Sequence, residues 1–226
     1  MNEISDSSED RTILETTQGL CQQLGFKFGP EKVQWAAIDP RAREYSPPMP
    51  ADQCAFRKNR VYLSRLMRNK LESHEWKPLL ASSLIYRYDG RIRLRLNTAP
   101  FVMLLGPLLL LTVALIVVTP LLGTGLFAAS FVVIIIIVIF VVIFYGGALF
   151  ARYVRRLWLM ADQFAAESIG KESLLSVLQK IDAMNLPEEK RLKRRKNYLV
   201  ANVYDSNRPS ITERIQNLLV KSVTSS

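Results

Sequence analysis

Apolar residues in this chain recur at helical spacing near the N-terminus and alternate in short stretches further on. They then form one long unbroken run, and return to helical spacing toward the C-terminus. Residues 1–11 are polar and acidic and read as a disordered tail. From Thr12 to Leu24, the positions of Ile13, Leu14, Leu20 and Leu24 predict a short amphipathic helix stopped by Gly25. Val33–Ile38 reads as a strand ended by Asp39 and Pro40, and Tyr45–Pro50 as a loop. Cys54–Phe56 and Arg60–Ser64 read as two more strands around a turn at Lys58 and Asn59. From Ser73 to Arg87 the pattern is helical, with Trp76, Leu79, Leu80, Ser83 and Leu84 on one side. Ser73 is the expected N-cap, and Pro78 comes early enough to be tolerated. Three further helices are predicted. Arg152–Ile169 has Leu157, Met160, Ala161, Phe164, Ala165 and Ile169 as its buried side, Lys171–Met184 follows it, and Ser210–Val220 comes last.

The middle of the chain reads differently. No charged side chain occurs from Leu96 to Ala151, and a bilayer's hydrocarbon core takes about 20 apolar residues per helical crossing. The expectation is a two-helix transmembrane hairpin over 96–151, with spans at about 99–119 and 126–151 and a turn where Pro120, Gly123 and Gly125 break the aliphatic pattern. Arg87, Arg91, Arg93 and Arg95 precede the run and Arg152, Arg155 and Arg156 follow it, so both termini are expected in the cytoplasm. The acidic, polar opening residues predict no cleavable signal.

Composition adds three constraints. The 226 residues, less the hairpin, leave segments 12–95 and 152–220. Each is short for an independent core, so the two are expected to fold as halves of one domain, with a tail at 221–226. The two cysteines, Cys21 and Cys54, are expected as buried thiols without a disulfide. A net charge of +10 gathers beside the apolar run and in the 187–197 insertion, where Lys190, Arg191, Lys193, Arg194, Arg195 and Lys196 form a candidate contact for lipid or a protein partner. No nucleic-acid-binding motif accompanies that charge, so nucleic acid is not an expected partner.

Several local stretches fall in a telling order. Leu20–Gly25, Trp35–Asp39, Cys54–Phe56 with Val61–Ser64, Ala161–Glu167 and Arg208–Ile215 together resemble the HtpX-type membrane zinc peptidases, a gluzincin family. The resemblance implies an α+β fold: a mostly helical zincin-like domain with a small sheet, interrupted by the hairpin. It assigns Ala161, Asp162, Arg208, Pro209 and Arg214 to the family's structural motif positions. It also aligns Glu75–Ala81 with the segment leading into the family's HExxH helix, which places Ser82 and Tyr86 on the two zinc-binding histidines and Ser83 on the general base. Trp158 falls on the third ligand.

At those four positions the reactive groups are gone. Zinc takes thiolate, imidazole or carboxylate donors, and a hydrolytic water needs a carboxylate to accept its proton. Hydroxyls and an indole supply neither. His74 and Glu75 are the only His-Glu pair, but Pro78 stands where the second histidine would be, so no HExxH helix face forms there. Ser82 and Ser83 sit in no G-x-S-x-G elbow, which argues against a serine hydrolase. The expectation is a catalytically inactive peptidase homologue without cofactor, serving as a binding or accessory subunit beside the lipid bilayer and an integral membrane partner. Two alternatives stand beside it: an active zinc endopeptidase with ligands from elsewhere, and a lipid-surface assembly factor working through the basic insertion.

Overall fold

The two-residue turn at Lys58 and Asn59 organises the sheet. Both residues have positive φ, 47° and 56°, the backbone that matches the twist of a tight hairpin. In the computed structural model, which describes residues 8–36, 50–99, 149–186 and 208–223, this turn joins β2 (Ala55–Arg57) to β3 (Arg60–Ser64). The two strands pair antiparallel, with Arg57 opposite Arg60 and Ala55 opposite Tyr62. On its other side β3 pairs in parallel with β1 (Lys32–Ala36), giving the order β1-β3-β2 with β2 at an edge. Val33, Phe56, Val61 and Leu63 turn inward to the core.

Helix α1 (Ser8–Leu24) begins four residues before the predicted start. The reason is tertiary. Asp10, which reads as part of a solvated tail, is buried and accepts a hydrogen bond from the Trp35 indole N–H at 2.7 Å, while Glu9 accepts one from the Trp76 indole at 3.3 Å. The two indoles meet edge to face. At the other end Gly25 (φ 71°) closes α1. The Phe26 amide donates to the Cys21 carbonyl and the Gly25 amide to the Gln22 carbonyl, a Schellman closure that needs the left-handed backbone glycine supplies.

A 3-10 turn at Arg65–Met67 leads from the sheet toward α2 (Trp76–Tyr88). Ser73 is not the N-cap. Glu75 holds that position, and its carboxylate accepts from the Glu72 amide and binds Lys180 instead of capping. From Trp76 to Ile85 every residue except Lys77 is buried, because α2 packs against α1, β2 and α5 together. A helix enclosed on most sides needs small or apolar side chains around its girth, and this one supplies them at Ala81, Ser82 and Ser83.

Further helices are α3 (residues 90–99), α4 (residues 149–169), α5 (Lys171–Ala183) and α6 (Ile211–Val223). Gly170, at φ 98°, separates α4 from α5. The five apolar residues buried by α5, namely Leu174, Leu175, Val177, Leu178 and Ile181, have the spacing of one helical face, and this face meets α6. The described residues divide into two compact units. One holds 8–36, 50–93, 158–186 and 209–223, and the other holds 94–99, 149–157 and Arg208.

The α+β architecture stands, but the expected two-span transmembrane hairpin is corrected. Among the described residues no helix is long and apolar enough to cross a membrane. With that, the expected two-span location with both termini in the cytoplasm has no support. Most of both expected spans falls on residues 100–148, which lie outside the described residues, as do the Tyr45–Met49 part of the expected loop and the basic insertion.

Candidate functional site

Helices α2 and α4 meet through pairs of residues one helical turn apart. On α2 these are Ser82 and Tyr86, on α4 Trp158 and Asp162, so each pair shares one face of its helix. Ser82 Oγ donates to Asp162 Oδ1 at 2.5 Å. One turn along, the Tyr86 and Trp158 rings lie parallel, with centroids 3.8 Å apart and planes inclined by 14°. Four side chains from two distant parts of the sequence thus form two adjacent rungs. Burial raises the Tyr86 phenol above its ordinary pKa, against the opposing pull of the Arg87 charge, so it stays neutral near pH 7.

Arg214 locks the Ser82 rung from α6. Its side chain is 1% exposed, a position an arginine holds only when paired. All five guanidinium N–H groups are used. Nε and Nη2 form a fork on Asp162 at 2.8 and 2.6 Å, and Nη2 also donates to Ser82 Oγ at 3.3 Å. Nη1 donates to the Asp52 carboxylate at 2.7 Å and to the Asp52 carbonyl at 3.0 Å. The two aspartates are fully enclosed. Asp52 was not expected from the sequence. The available signal was Arg214 itself, which shares one helical face with Ile211 and Leu218 and so requires buried acceptors.

Ser83 faces a different way. Its hydroxyl accepts the Cys54 amide at 3.0 Å, which ties α2 to the start of the edge strand. Burial pushes the Cys54 thiol up to about 12, and the Ser83 hydrogen bond and the Arg214 charge only partly oppose it. It is therefore a protonated, unreactive thiol at neutral pH. Cys21 is also buried and raised, and both cysteines are free. His74 stands in the turn before α2, 76% exposed and 3.5 Å from the Glu72 carboxylate, away from the Ser82 and Tyr86 face.

A cleft of about 350 Å³ lies between β2 and these helices, with Tyr86, Trp158, Arg57 and Arg87 among the residues that line it. In a two-residue hairpin the residues flanking the turn exchange backbone hydrogen bonds. Arg57 and Ala55 therefore bond to β3, and the N–H and C=O of Phe56 point away from it. The Cys54 amide, two residues back, points the same way and reaches Ser83, consistent with that alternation.

No family model, curated protein or solved structure matches the chain.

The structure therefore brings Ser82, Ser83, Tyr86, Trp158, Asp162 and Arg214 into one neighbourhood. Ala161 lies beside them on α4, fully buried, and Pro209 is buried just before α6. Arg208 belongs to the second compact unit. Lys190, Arg191, Lys193, Arg194, Arg195 and Lys196 lie outside the described residues. The donor set does not fit zinc. The Ser82 hydroxyl is committed to Asp162 and Arg214, and the Tyr86 phenol and Trp158 indole are stacked on each other. None of these neutral groups is a competent zinc ligand.

Proposed function

We propose that this protein is a peptidase-like binding subunit: an HtpX-like homologue that has kept the scaffold of a zinc site, lost its chemistry, and holds an extended polypeptide along β2. The observation that carries this reading is the stacked contact of Tyr86 with Trp158. These two positions, far apart in sequence, are the ones the resemblance assigns to ligands of a single metal, and they touch.

The Ser82 rung supports the same reading. Metal-ligating histidines commonly pass their second N–H to a carboxylate, and Asp162 stands where such a carboxylate would orient an imidazole at position 82. Serine now fills the shorter distance, with Arg214 neutralising the carboxylate. The binding role follows from what remains: an edge strand whose Phe56 backbone groups face away from β3, alongside a cleft lined by Tyr86 and Trp158. Such an edge can accept a peptide as an added strand.

Purified full-length protein tests the loss of chemistry. Zinc content by plasma mass spectrometry and cleavage of casein, with and without chelator, are expected to show neither stoichiometric metal nor proteolysis. Stoichiometric zinc together with chelator-sensitive cleavage would overturn the reading and favour an active endopeptidase.

A further inference from the structure

We propose that the β2 cleft is selective for an acidic extended peptide, whose carboxylates pair with Arg57 and Arg87. This deepens the proposed function and rests on it. The lining contains two arginines and no carboxylate. Both residues are exposed, and neither has an ion-pair partner among the described residues. Arg57 also stands directly across from Arg60, and like charges at opposed strand positions repel. Arg60 turns to the neutral Gln34 side chain at 3.1 Å, so no carboxylate relieves the pair.

The site therefore presents positive charge beside the Tyr86 and Trp158 rings. An extended chain alternating apolar and acidic residues complements it: backbone to Phe56, apolar side chains on Tyr86 and Trp158, carboxylates to the arginines.

Fluorescence anisotropy with the full chain tests this, using eight-residue peptides that alternate valine with glutamate, glutamine or lysine. The glutamate peptide is expected to bind about tenfold more tightly than the glutamine one, and the lysine one weakest. The double substitution R57Q/R87Q changes two exposed side chains, so unfolding temperature is expected to hold while the preference falls to within about twofold. Equal affinities for the three peptides, or a preference that survives R57Q/R87Q and so reflects only the overall positive charge, would overturn the proposal. A glutamate peptide N-methylated at alternate bonds reads strand addition separately. If the three parent peptides bind equally but N-methylation abolishes binding, only the acidic selectivity fails. If N-methylation has no effect, or no peptide binds, the strand-addition reading fails with it.

Discussion

Arg214 concentrates more consequence than any other side chain in the described structure. One cation on α6 satisfies two enclosed carboxylates and one buried hydroxyl, drawn from the turn before β2, from α4 and from α2. Removing it takes away the guanidinium that both buried carboxylates share, so R214M is expected to lower stability by about 3–5 kcal/mol in urea denaturation. R214K keeps the charge but cannot reproduce the five-donor fork and is expected to recover only part of that loss. Adding D52N and D162N to R214M is expected to restore much of it, because the penalty comes from stranded charge more than from lost attraction. The sequence placed Arg214 and Asp162 in motifs but could not pair them with Asp52, since the bonds join residues brought together only by folding. That positions 82, 83, 86 and 158 carry hydroxyls and an indole was readable directly, because that chemistry belongs to the side chain itself.

At the scale of elements, the helices and strands largely follow local pattern, and the discrepancies have local causes. The hairpin turn is the clearest case of a cost the sequence accepts: Lys58 and Asn59 both occupy left-handed backbone, where lysine is poorly suited. Replacing the pair by Asn-Gly, through K58N/N59G, is expected to stabilise the protein by about 0.5–1 kcal/mol in thermal or urea unfolding, with the fold unchanged. Helix α1 shows the opposite relation. Its polar first turn looks like tail, and it is helical because the Trp35 and Trp76 indoles need acceptors. Helix α2 shifts its start because Glu75 is recruited from another direction, by Lys180.

At the scale of the whole molecule, the contact of Glu75 with Lys180 ties α2 to α5, with Nζ 2.6 and 2.7 Å from the two carboxylate oxygens. Partial burial tends to raise the Glu75 carboxyl, but the hydrogen bond and charge of Lys180, with the Glu72 amide, outweigh it and leave the carboxyl below its ordinary value of 4.5. A carboxyl depressed in the folded state stabilises it above the unfolded pKa, and that contribution is lost as pH falls through the folded value. The stability difference between wild type and K180M is therefore expected to be full at pH 7 and to shrink below about pH 4.5. Its size is expected at about 0.5–1 kcal/mol, because Lys180 remains partly in water. The long uncharged run illustrates a different limit. Hydropathy led to two membrane spans, yet among the described residues no helix qualifies as one, and the bulk of the run lies outside them. By itself the sequence determined the three short strands, the hairpin turn and the apolar stripes of α1, α2, α5 and α6, because each depends on neighbouring residues. Only the tertiary structure decided that Asp10 and Asp52 are buried acceptors, that Tyr86 and Trp158 stack, and that Arg57 and Arg87 line one cleft. Those facts depend on surfaces contributed by residues distant along the chain, which no local pattern specifies.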